Sequence, residues 1–471
     1  MKKILLIFFT LIHFLPFKLD AQNFSNRVEE ILQDSLFQSS QISVDVYDLT
    51  NREYAFRKNE NLLLHPASNM KLFTTAASLL YLGIDEKFTT NFLYTGSISD
   101  SVLNGDLIVQ GGFDPLFIDT DLDSIVVILK EKGIKKINGN LFADISNNDS
   151  LYFGRGWMWD DNPNSYMPYL SSLNINRNSL IIYYEPAGIG EIAAVKFEPE
   201  SSYYTFENNL ITTSEDTSNI KITRDWLGER NHVFLEGDIS HKKGIDSVKV
   251  NIKYPHLYFL HLLSERLIEN GISFYGQLNI LYKKTEYDTL YHFNRNLFEV
   301  IKETNKESDN LCAEMLLRKL SRKYFNSSAS AKKGLQLIDS LIIKLGRKPK
   351  DFVFADGSGL SHYNLISSSL IVDLLKYIYF EYPSIYGYFF DSLPIAGVDG
   401  TLEKRMRNNK AYNSIYAKTG TISGVSTLSG YAKTENENLF AFSILIQNFA
   451  GSARIARNIQ DKICNILAGY K

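Results

Sequence analysis

Between Thr89 and residue 284 the sequence changes texture, and this interruption constrains the possible fold more than any other feature. Before it, Ile42–Leu49 alternates as a strand, Glu53–Arg57 follows as a partner strand, and Met70–Leu82 is a helical run rich in Ala and Leu. Within it, short strands separated by Gly and Asn dominate: Phe92–Thr95, Gly105–Gln110 and Gly139–Ala143. Two helices sit among them, Leu122–Lys132 and Tyr258–Asn270, the second ended by Gly271. Beyond it, helices return over Leu297–Thr304, Leu311–Tyr324, Ala331–Leu345 and Ser367–Tyr379. The chain closes with strands Ile415–Thr419, Ser426–Ala432 and Leu439–Gln447 and a helix over Ala453–Leu467. Strand-rich material that splits a helix-and-sheet region reads as a domain inserted into another at a surface loop, where insertion is well tolerated. The fold class is α+β.

The length, 471 residues, suggests about three domains. At the start, Lys2 and Lys3 precede an apolar run from Ile4 to Phe17, and Ala21 offers a small residue for cleavage. Residues 1–21 read as a signal peptide, too short for a spanning helix of about 20 apolar residues, so the mature chain is expected to be exported to the periplasm. The formal net charge of −3 becomes more negative without that segment, which argues against a nucleic-acid partner. Cys312 and Cys464 allow one disulfide in an oxidising compartment, but two small buried side chains are the favoured reading. No HExxH or CxxC occurs, and neither a metal nor a cofactor is expected.

Three short patterns carry chemistry. Ser-x-x-Lys begins at Ser68, Ser218, Ser240 and Ser330, Ser-x-Asn at Ser146, Ser172 and Ser308, and Lys-Thr-Gly occurs once, at Lys418-Thr419-Gly420. A serine nucleophile needs a base within hydrogen-bond reach. On a helix, residues i and i+3 share a face, so Lys71 reaches back to Ser68. Ser68 also opens a strong helix, whose free N–H groups and dipole favour a developing oxyanion. Ser218 and Ser240 lie in polar strand or turn stretches, and Ser330 looks like a solvated N-cap. A lysine acts as a base only when its charged form is disfavoured, and Lys418, in the apolar stretch after Ile415, is the candidate second cation. Small residues beyond it, before an expected Gly-Thr turn, let the strand edge approach a substrate backbone.

Taken in this order, on a helix, a loop and a strand, Ser68-Asn69-Met70-Lys71, Ser308-Asp309-Asn310 and Lys418-Thr419-Gly420 resemble the signature of penicillin-binding proteins and class A β-lactamases. The stretch between Ser68 and Ser308 is far longer than a compact β-lactamase permits. The chain is similar to the class C low-molecular-mass penicillin-binding proteins, the D-alanyl-D-alanine carboxypeptidase/endopeptidase family. Gly111–Pro115, Arg155–Asp161, Ala355–Ser361 and Leu393–Leu402 share in the likeness.

The resemblance implies a penicillin-binding catalytic domain, an antiparallel sheet flanked by helices, from residues 22–88 and 285–471. It implies an inserted β-rich domain from 89–107 and 160–284, and a small nested α/β domain from 108–159. It implies a serine DD-peptidase acting on peptidoglycan stem peptides, with β-lactam antibiotics as inhibitors. Ser68 is then the nucleophile and Lys71 its base, Ser308 and Lys418 relay a proton to the leaving amine, and Asn310 binds the peptide. The Ser68 and Thr421 amides form the oxyanion hole, Lys418 and Thr419 receive the terminal carboxylate, and Gly420 is a substrate-binding candidate between them. Trp157, Asp161 and Tyr166 are candidates for a distal subsite. His362 stands where the family often carries Arg, which opens the side-chain preference. A β-lactamase and an inactive cell-wall-binding relative remain as alternatives.

Overall fold

The computed structural model describes residues 24–281 and 286–470, so the expected export segment 1–21 lies outside the described residues. Among those residues no helix is long and apolar enough to cross a membrane. The chain forms two compact units. One comprises the residues through Gly83, Ile301–Asp309 and Leu335 onward; the other comprises Ile84–Val300 and Asn310–Gly334.

The first unit is built on a five-stranded, wholly antiparallel sheet in the order Ile415–Ile422, Val425–Lys433, Leu439–Gln447, Gln41–Asp48, Glu53–Lys58. Three of these strands are buried at almost every position, because helices cover both faces. On one face the helix Arg454–Ala468 sets Ala456, Ile459, Ile463 and Leu467 against Val44, Val46, Phe442 and Ile444. On the other, Ser368–Glu381 packs on the central strands, and Ser43 Oγ meets Ser368 Oγ at 2.6 Å. The helix Met70–Leu82 is buried on nearly all sides, which its run of Ala, Leu, Phe and small hydroxyl residues permits.

In the second unit, a five-stranded sheet runs Leu278–Leu281, Leu141–Asp144, Leu107–Gln110, Lys87–Tyr94, Asp288–Asn296. Leu107–Gln110 and Leu141–Asp144 are parallel, joined through the helix Leu122–Glu131, because a parallel pair needs a crossover. The segment 108–159, expected as a nested domain, thus lends strands to this sheet. Phe92, Phe117 and Phe259 centre the core, the last on the helix Pro255–Glu269. Two three-stranded sheets and one of four strands complete the unit.

The expected boundary at residue 285 does not coincide with the units. Asp288–Asn296 pairs along its length with Lys87–Tyr94, and Lys319 and Lys323 of the helix Asn310–Tyr324 both reach the Glu86 carboxylate, at 3.1 and 2.9 Å. Cys312 and Cys464 are both buried and neither is in a disulfide.

Candidate active site

Ser68 sits in the 3-10 turn Ala67–Asn69 that leads into Met70–Leu82. One turn on, Lys71 is fully buried, and its Nζ donates to Ser68 Oγ at 2.9 Å and to the Ser358 carbonyl at 2.6 Å. That carbonyl is held in place by the buried Asp356 carboxylate. Asp356 accepts from the Gly359 and Ser361 amides (2.9 Å each), Ser358 Oγ (3.0 Å) and Asn364 Nδ2 (2.7 Å). The loop is tied to the helix a second time, by Thr74 Oγ1 donating to the Gly357 carbonyl at 2.7 Å.

The edge strand Ile415–Ile422 closes the other side. Asn69 Nδ2 donates to the Lys418 carbonyl at 3.1 Å, and Thr427 Oγ1 lies 2.9 Å from the Pro66 carbonyl and 3.1 Å from Asn69 Oδ1. Gly420 faces the serine turn so closely that an added Cβ would lie 2.8 Å from the Ser68 nitrogen and in contact with Thr427 Oγ1. The expected Gly-Thr turn after Lys418 is absent: the strand continues to Ile422, because Gly420 and Thr421 pair with Thr427 and Ser426.

Lys418 is fully buried. Its Nζ donates to Ser308 Oγ at 2.8 Å and to the Thr419 carbonyl at 2.9 Å. Burial first, and the Lys71 charge second, hold Lys418 well below the ordinary lysine range, with Glu307 opposing. Ser308 takes φ +61° and Ala67, just before Ser68, takes φ +44°. A left-handed conformation costs a non-glycine residue about 1–2 kcal/mol, so the surrounding contacts hold both residues in place. A cavity of about 450 Å³ opens onto Ser68, Ser308 and the run Thr419-Gly420-Thr421; neither Lys71 nor Lys418 lines it.

Ser68, Lys71, Ser308, Lys418, Thr419, Gly420 and Thr421 are thus brought together within the first unit. His362 is also in this unit but does not line the cavity; its ring lies 6.1 Å from that of His65. Asn310, Trp157, Asp161 and Tyr166 belong to the second unit. There Asn310 Nδ2 donates to the Tyr166 carbonyl at 2.7 Å, and the Tyr166 hydroxyl donates to Asp161 at 2.9 Å. Burial and the Asp161 carboxylate push the Tyr166 phenol up to about 12. Trp157 packs on Phe153, ring centres 6.4 Å apart.

The other Ser-x-x-Lys copies are structural. Ser330 Oγ caps a helix by accepting from the Lys333 amide at 3.3 Å, and Ser218 Oγ accepts from the Ser240 amide at 2.9 Å. Asn69 and Ala355–Ser361 stand out in the sequence only as parts of motifs, and Thr427 not at all; the hydrogen bonds by which Asn69, the Asp356 loop and Thr427 hold the site are not evident from it. Among the described residues no cluster of three or more His, Cys, Asp or Glu side chains is placed to hold a metal.

Residues 24–470 match the D-Ala-D-Ala carboxypeptidase 3 (S13) family. A D-alanyl-D-alanine carboxypeptidase of Actinomadura sp. (strain R39) is 29% identical over 94% of this chain and 84% of its own length. The D-alanyl-D-alanine carboxypeptidase DacB of Haemophilus influenzae is 26% identical over 91% of this chain and 89% of its own. The crystal structure of penicillin binding protein 4 (dacB) from Haemophilus influenzae superposes with a TM-score of 0.82 at 26% identity, covering 94% of this chain and 99% of that one. A match over nearly every described residue, around a serine and two buried lysines in the expected order, means that the chain belongs to the D-Ala-D-Ala carboxypeptidase 3 (S13) family of serine-type hydrolases.

Proposed function

We propose that Ser68 performs the DD-peptidase chemistry of this family, and that the chain cleaves the D-Ala-D-Ala bond of peptidoglycan stem peptides. The observation that carries this reading is the Lys71 amine 2.9 Å from Ser68 Oγ, with the Lys418 amine bonded to Ser308 in the same unit. Two ammonium groups buried together are disfavoured: burial and the Lys71 charge hold Lys418 below the ordinary lysine range, so the site does not keep both amines charged and a neutral amine is available as base.

In the proposed sequence Ser68 Oγ attacks the carbonyl carbon of the penultimate D-Ala, and its proton passes to Lys71. The C–N bond breaks, and the leaving amine takes a proton from Ser308, which Lys418 replenishes. The oxyanion lies against the Ser68 and Thr421 amides; the close approach of Gly420 to the Ser68 nitrogen supports this assignment. Water then attacks the acyl carbon and gives a proton through Ser308 back to Lys418; the C–O bond to Ser68 breaks, Ser68 Oγ takes back the proton held by Lys71, and the shortened peptide departs. The same steps split a peptide cross-link when the leaving group is another stem peptide, and a β-lactam acylates Ser68 in place of the peptide. Asn310, Trp157, Asp161, Tyr166 and His362 are proposed as peptide contacts, residues 1–21 as a cleaved signal, and the periplasm as the site of action.

Incubation with defined muropeptides, read by product mass, tests the reading. The wild type is expected to remove the terminal D-Ala from pentapeptide stems and to separate cross-linked dimers, and Ser68→Ala to do neither. Turnover that survives in folded Ser68→Ala would overturn it.

A further inference from the structure

A carboxylate brought to Ser68 needs a counter-charge, and the lysine expected to supply it is out of reach. Lys418 has no exposed surface, does not line the cavity, and commits its Nζ to Ser308 and Thr419. Three other cations do line the cavity: Lys404, Arg405 and Arg457. Arg405 is already neutralised, with Nη2 and Nε 2.5 and 3.0 Å from Asp461 Oδ1. Arg457, exposed in the first turn of Arg454–Ala468, donates from Nη2 to Thr421 Oγ1 at 3.1 Å, on the strand that carries Lys418 and Thr419. Among the described residues no carboxylate pairs with Arg457 or Lys404.

We propose that Arg457 is a specificity-determining residue that receives the carboxylate of the leaving D-amino acid, beside the Thr419 and Thr421 hydroxyls, with Lys404 adding to the positive field. A guanidinium stays charged at any working pH and presents a planar fork that matches a carboxylate, which a buried ammonium with committed hydrogen bonds does not. The assignment rests on the Ser68 reading of the site.

The test compares hydrolysis of an N-acylated peptide ending in D-Ala-D-Ala carboxylate with that of the same peptide as its C-terminal amide. Arg457→Gln is expected to raise KM for the carboxylate peptide about tenfold. The same change leaves the amide peptide unchanged, so the preference between the two narrows, and Arg457→Lys recovers part of it. An equal effect on both peptides, or none on either, overturns the role of Arg457. Ser68→Ala separates the two claims. Turnover surviving there sinks the Ser68 reading, whereas its loss, combined with an unchanged preference in Arg457→Gln, sinks only this inference.

Discussion

At the scale of single residues, the site depends on placing two amines where water cannot reach them. Lys418 is held below the unfolded lysine value of about 10.4, chiefly by burial. Between its folded value and about 10.4 the unfolded chain binds a proton that the folded chain does not, so stability rises with pH across that window. Below it the cost of the buried charge is present in full. Lys418→Met removes the charge while keeping a long flexible side chain. The variant's Tm relative to wild type is expected to be highest at low pH and to fall steadily as pH approaches 10. A difference that stays constant with pH would show that Lys418 titrates normally. Ser68, Lys71, Ser308 and Lys418 were legible because their chemistry is unusual and their order informative. Asn69, Ser358 and Thr427 were not, because each is an ordinary polar residue whose role comes from a partner far away in sequence.

Among the elements, the edge strand Ile415–Ile422 matters most. It lies against the Ser68 turn only because position 420 has no side chain; a Cβ there would press on the Ser68 nitrogen and on Ala67. Backbone cannot yield as a flexible side chain can, so Gly420→Ala is expected to lower the acylation rate by about 100-fold, the effect of a displacement near 1 Å. Stopped-flow acylation by a chromogenic β-lactam measures it, and an unchanged rate would mean that the approach of this strand is not needed. This strand was read as ending at Thr419 because Gly-Thr looks like a turn, yet the ladder with Val425–Lys433 extends past it. Local signals misled elsewhere too. The helix Pro383–Asp391 is not among the elements expected from the sequence; it carries Pro383 at its first turn and Gly387 inside, residues that weaken a helical pattern. The second-unit helix begins at Pro255, three residues before the expected start, because Pro is accepted where no N–H partner is required.

For the molecule as a whole, the texture break showed that one region interrupts another, but not where the second ends. Residues 286–300 look like catalytic-domain sequence until the pairing with Lys87–Tyr94 is seen, and a strand's partner is not written in its own residues. Stability also reflects buried charge at this scale. Asp45, in the buried strand Gln41–Asp48, is pushed up to about 6, mainly by burial, with Arg57 Nε 3.4 Å away. From about pH 4 to 6 the folded chain keeps a proton that the unfolded chain releases, so stability falls as pH rises through that window. Asp45→Asn is therefore expected to stabilise the first unit at pH 7 by at most about 3 kcal/mol, the advantage vanishing below pH 4. Equal melting shifts at both pH values would refute this. The most direct test of the central claim is to label the protein with penicillin, digest it and locate the adduct by mass. The account predicts one acylated peptide, containing Ser68, and no label in a folded Ser68→Ala variant. An adduct on Ser308, or labelling that persists without Ser68, would contradict it.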